Sequence, residues 1–95
     1  MVLIVEDHEL TRRALTALLR QCGYDVRTAP SGHAARHFLS QFKPDAIVLD
    51  LSLPDMSGID VLEWMRKDPS LAQVPVLVFS GDPTISMLCQ SLASR

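Results

Sequence analysis

The chain has 95 residues, 47% of them hydrophobic and 21% charged, and a formal net charge of −2. That length allows one domain at most, and that apolar share supplies a core, which argues against a disordered segment. Lysine and arginine are spread along the chain, leaving no footprint for nucleic acid and no polybasic patch for a membrane.

The first apolar run, Val2 to Val5, is strand-sized and far short of the ~20 residues that span a bilayer. No basic stretch leads into a long apolar segment, so no signal peptide is readable. Leu10, Ala14, Leu15, Leu18, Leu19 and Cys22 recur at helical spacing and predict a first helix, stopped by Gly23. Tyr24 to Ala29 alternates, with Val26 between Asp25 and Arg27, and predicts an outer strand. Ala34, Ala35, Phe38, Leu39 and Phe42 predict a second helix that ends before Pro44. Ala46 to Leu49 is a second continuous run. Ile59, Leu62 and Met65, with Val61 and Trp64 beside them, predict a third helix. Val74 to Phe79 is the last strand-like run, and Asp82-Pro83 reads as the cap and first turn of a fourth helix through Ile85, Leu88, Cys89 and Leu92. Cys22 and Cys89 lie in helical patterns without a Cys-x-x-Cys motif or a histidine at ligand spacing. They are expected to be buried and reduced, which suits a cytoplasmic protein.

The continuous apolar runs suit strands buried on both faces, as in a parallel sheet. Strand and helix alternate four times, and right-handed crossovers place helices on both faces of an open α/β sheet. Ligands of such sheets bind outside the carboxyl ends of the strands. Those ends carry Glu6-Asp7 after the first strand, Asp50 after the third, and Ser80-Gly81 after the last. Taken singly, Glu6 or Asp7 reads as a turn former or helix cap, and Ser80 as a turn former. Their coincidence at three strand ends is what points to a site. Two carboxylates ~4 Å apart at an effective dielectric of ~20 repel by about 4 kcal/mol, so such a cluster holds either a proton or a cation. Oxygen donors alone favour a hard ion such as Mg²⁺, and a carboxylate beside it can take a phosphoryl group as an acyl phosphate.

Glu6-Asp7 after a strand, Leu49-Asp50 followed by Leu53-Pro54 and Gly58, and Val76 to Phe79 running into Ser80-Gly81 resemble a response-regulator receiver domain of two-component signalling, from residue 2 to about residue 83. The resemblance implies a flavodoxin-like sheet of order 2-1-3-4 and a single domain over residues 1–95. It further implies that Asp50 accepts a phosphoryl group from a histidine kinase or phosphotransfer protein. Asp7 would bind Mg²⁺ directly, Glu6 through water, and the Ser52 backbone carbonyl would complete the protein's share. Ser80 would be the switch hydroxyl that turns to the phosphoryl oxygens.

The family's fifth strand, which ends in Lys-Pro, and its fifth helix are absent from these residues. Lys43 and Lys67 are expected away from the acids and cannot stand in for that lysine. The last strand is then expected to expose an edge through which copies of the chain associate. The residue two after Asp50 is Ser52, not a second acid, which disfavours a phosphatase and leaves an acceptor rather than an enzyme. Glu6-Asp7-His8-Glu9 is likewise unlike the glycine-rich turn of a nucleotide binder. The alternative is an interaction and dimerisation module that works without phosphorylation. Arg12 and Arg13 are expected to face solvent or a kinase, and His8, His33 and His37 to face solvent.

Overall fold

A computed structural model of the chain describes residues 1–79. Four parallel strands, β1 (Val2–Val5), β2 (Val26–Ala29), β3 (Ala46–Asp50) and β4 (Val76–Phe79), are ordered β2-β1-β3-β4. The helices α1 (Glu9–Gln21), α2 (Gly32–Leu39) and α3 (Gly58–Arg66) connect them. The expected order is therefore present, and β4 starts two residues later than its apolar run. The expected fourth helix from Pro83 and the hydroxyl of Ser80 lie outside the described residues.

The two-residue repeat of the central strands builds a core on each side of the sheet. Val2 and Ile4 of β1 and Val48 of β3 pack with Leu15 and Leu19 of α1 and Val26 of β2. Leu3, Val5, Ile47 and Leu49 turn to the opposite face and pack with Ala35 and Leu39 of α2 and Val61 and Met65 of α3. Every residue of β1 and β3 is buried, which is why neither strand alternates in sequence.

Helix ends are closed by side chains. Ser31 Oγ accepts from Ala34 N at 3.1 Å, and Ser57 forms a reciprocal capping box with Asp60 at the start of α3. His8, not Asp7, caps α1: its Nδ1 accepts from Thr11 N at 3.4 Å. His8, His33 and His37 are exposed, as expected.

The helical stripes were only partly readable. Leu10 of α1 is 72% exposed, Ile59 of α3 is 45% exposed, and Phe42 lies beyond the end of α2 at 56% exposure, where it packs on Phe38. Cys22 sits at the C-cap of α1, is exposed, and is not a free thiol, against the expectation of a buried, reduced residue. Trp64 is half-buried and carries the Arg36 guanidinium 5.0 Å from its ring centre.

Candidate metal centre

β1 and β3 pair in register, Val5 opposite Leu49, so their last residues leave the sheet side by side. Glu6 and Asp50 are 4% and 6% exposed, whereas Asp7 is open to solvent. One carboxylate oxygen from each of the three lies within 4.8 Å of the others. Three of the acids singled out by sequence thus meet at the carboxyl end of the sheet.

The buried pair carries the electrostatic tension. Glu6 Oε1 accepts from His8 N at 3.1 Å, while Glu6 Oε2 is buried with no donor among the described residues. Burial, then the Asp50 carboxyl beside it, push the Glu6 pKa up to about 7. The Asp7 charge adds to this, and the hydrogen bond from His8 opposes it. A buried acceptor facing another acid requires a shared proton or an intervening cation. The donors are oxygens only, two of the three acids are buried, and among the described residues one buried oxygen lacks a partner, so the residues fit a hard divalent ion such as Mg²⁺.

Asp50 is oriented from the loop that follows it. Ser52 N donates to Asp50 Oδ1 at 3.1 Å, and an isolated bridge joins Ser52 to Ser57 across the loop. Gly58 N donates to Leu51 O at 2.9 Å. The Ser52 residue therefore sits against the Asp50 carboxylate, through its N–H.

Two residues of this neighbourhood escaped the sequence reading. Arg12 was expected to face solvent or a kinase. It is half-buried, and its guanidinium donates to the carbonyls of Glu6 and Asp7 at 3.1 and 3.2 Å, bracing the turn that carries both acids. Asp55, in the loop after β3, reaches the start of α2 and accepts from Gly32 N at 2.9 Å and His33 N at 2.8 Å. The local pattern of a Pro-Asp turn gives no sign of that partner, which is 22 and 23 residues away.

Asp55 yields a test of this clamp. The bond from His33 N, with that from Gly32 N, holds its carboxyl below the ordinary aspartate value of 3.8. A depressed acid stabilises the fold above its unfolded value and loses that contribution as pH falls through the folded one. Asp55→Ala is expected to lower Tm at pH ~7, with a smaller deficit at a pH below 3.8. Circular-dichroism melts of both proteins at the two pH values check it; a deficit independent of pH would count against the clamp.

The arrangement is that of a doubly wound α/β domain with an acidic pocket at its strand ends. A family model of the response regulator receiver domain matches residues 2–94, and the chain belongs to that family. The chain is similar to the polar-differentiation response regulator DivK of Brucella ovis, with 36% identity over 80 residues, 84% of this chain and 65% of that protein. The matched part therefore spans less than two thirds of that relative's length. Among solved structures it resembles the signal receiver domain of a signal transduction histidine kinase from Syntrophus aciditrophicus, at 31% identity and a TM-score of 0.81 over 96% of this chain and 69% of that one. It also resembles the N-terminal domain of a response regulator receiver protein from Methanoculleus marisnigri, at 28% identity and a TM-score of 0.80 over 98% and 76% of the two chains.

Proposed function

We propose that Asp50 accepts a phosphoryl group, in a Mg²⁺-dependent manner, from a histidine kinase or phosphotransfer protein. The observation that carries this is the buried Glu6 carboxylate beside Asp50 within a cluster of three carboxylates, its Oε2 without a donor among the described residues. Glu6, Asp7 and Asp50 would hold the ion, and the Ser52 carbonyl is assigned to it by the family resemblance. A bound Mg²⁺ would neutralise the cluster and offset negative charge on the phosphoryl oxygens.

The chain's own residues supply the rest. Ser52 N holds Asp50 Oδ1, which sets the carboxylate plane and leaves Oδ2 as the nucleophile. Oδ2 attacks phosphorus, the phosphorus–leaving-group bond breaks, and an acyl phosphate results. Arg12 keeps Glu6 and Asp7 in place through their backbone carbonyls. The hydroxyl of Ser80, which follows β4, is proposed to gain a hydrogen bond only in the phosphorylated state. The chain acts here as an acceptor and not as an enzyme on a separate substrate, because no second acid follows Asp50 by two residues.

Acetyl phosphate with Mg²⁺, read by intact mass, tests the proposal. One phosphoryl group is expected on the wild type and none on Asp50→Asn or in the presence of a chelator. No gain on the wild type, or an undiminished gain on Asp50→Asn, would overturn it. Thermal stabilisation by Mg²⁺ separates this reading from a phosphorylation-independent interaction module. A live site gains about 2.7 kcal/mol at a hundredfold excess over Kd, and Asp7→Asn or Asp50→Asn removes the gain.

Cytoplasmic placement and the absence of a nucleic-acid partner belong to the same reading. No helix among the described residues is long and apolar enough to cross a membrane. Self-association along β4 is supported by Val78, which is 36% exposed on the last strand of the described sheet. A concentration-dependent dimer by light scattering is expected, and a monomer at all concentrations would remove that part.

A further inference from the structure

The lysines and arginines that are scattered in sequence do not stay scattered in the fold. An open groove of about 690 Å³ runs along the outer edge of β2, between α1 and α2. Arg12, Arg13 and Arg20 line it from α1, Arg27 and Thr28 from β2, and Phe38 from α2. Four of the nine basic residues of a chain with net charge −2 therefore share one groove, against a single acid, Glu9. Glu9 pairs with Arg13 at 3.0 Å, but both side chains are largely exposed, so the pair is weak and easily exchanged. Among the described residues, Arg20 and Arg27 have no ion pair or side-chain hydrogen bond. Arginine keeps its charge at any physiological pH, so the groove is a fixed positive site.

The floor of the groove is a strand edge. Val2 N of β1 and Glu6 N just after it donate to the carbonyls of Asp25 and Ala29, at 2.8 and 3.0 Å. By the two-residue repeat, the backbone of residues 25, 27 and 29 faces β1, and that of Val26 and Thr28 faces away from it. Among the described residues no strand lies beyond β2. Val26 is buried and Thr28 exposed, so Thr28 offers the open backbone donor and acceptor of this edge, under a roof of arginines, and that suits one kind of occupant.

We propose that this groove binds an extended acidic segment of a partner protein, added to the sheet as a strand beside β2. Strand addition takes affinity from the main chain and specificity from alternate side chains. One set of the guest's side chains would face Arg12, Arg13 and Arg20, and is acidic. The other set would face Arg27 and Phe38, and is apolar or mixed. A small anion would leave the strand edge unused, and so open a groove would not enclose it. A nucleic acid is disfavoured because the chain is acidic overall and Glu6, Asp7 and Asp50 lie at the end of the same sheet.

The test uses the whole chain and a labelled, capped peptide that alternates glutamate with valine. Fluorescence anisotropy is expected to show binding that weakens by about tenfold in Arg20→Glu/Arg27→Glu and falls with salt. A peptide of the same composition with its glutamates in one block, and an alternating peptide N-methylated at every valine, are both expected to bind at least about fivefold more weakly. Amide exchange at Thr28 is expected to slow when the alternating peptide is bound. Circular dichroism of the charge-reversed variant confirms that it folds, and if it does not, Arg27→Gln serves in its place. No binding, binding indifferent to the arginines or to N-methylation, or preferential binding of oligothymidylate would overturn the proposal.

Discussion

Stripped of divalent ions by a chelator, the protein is expected to lose about 3 kcal/mol of stability at Glu6 as pH rises from 4.5 to 7. The sign follows from the direction in which the carboxyl is pushed. Glu6 is raised from 4.5 to about 7 in the fold, so the folded state holds its proton where the unfolded state has released it. Its contribution is whole below the unfolded value and is lost as pH climbs through the folded one. The magnitude follows from about 1.4 kcal/mol for every tenfold change in proton affinity between the two states. A domain of this size has roughly 5–15 kcal/mol in all, so the loss is a large share of its stability.

Glu6→Gln isolates the effect. A neutral amide can donate to Asp50 as the protonated acid does, so the variant should match the wild type near pH 4.5 and exceed it by about 3 kcal/mol above pH ~7.5. Urea unfolding of the two proteins across that range gives the difference directly. Equal stability of the two at pH ~8 would mean that Glu6 is not held against a second acid at all, and the cluster would lose its physical basis. Mg²⁺ should reverse the ranking at high pH, because it relieves the wild type and finds one charge fewer in the variant.

The central strands and the acids were legible for the same reason. β1 and β3 are buried on both faces, so their sequence is continuously apolar, and the first polar residues after them must lie at the strand ends. What could not be read is anything set by rotation or by distant partners. Ile59 and Val61 are equally apolar, yet only Val61 is buried, because the capping box at Ser57 fixes where α3 begins and hence which side it turns inward. The capping role weighed for Asp7 falls instead to His8, a shift of one residue that frees Asp7 for the cluster. Arg12, Asp55 and the basic groove each depend on contacts across the chain or across elements. Local periodicity carries no information about those.

Gly58→Ala is expected to cost about 2–3 kcal/mol and to slow phosphorylation of Asp50, although alanine is the better helix former. Gly58 is the first residue of α3, where exchange for alanine would contribute up to ~1 kcal/mol in favour of the helix. A Cβ there would stand 2.2 Å from the Asp50 carbonyl oxygen and 3.0 Å from the Asp50 carbonyl carbon and Leu51 Cα. All three are backbone atoms of the strand end and loop that carry Asp50, so relief requires β3 and α3 to move apart. Steric cost therefore exceeds propensity. Gly32 provides the control, since its Cβ would meet Cγ and Sδ of Met56 at 2.3 and 2.5 Å. These atoms belong to a flexible side chain that can swing aside. Gly32→Ala is expected to change stability by less than ~1 kcal/mol and to leave phosphorylation at the wild-type rate. Thermal melts and acetyl-phosphate time courses of both variants decide the matter. Equal losses in the two would show that what the added methyl meets does not govern its cost. A destabilised Gly58→Ala that still reacts at full rate would show that the Asp50 carboxylate is positioned independently of its own backbone carbonyl.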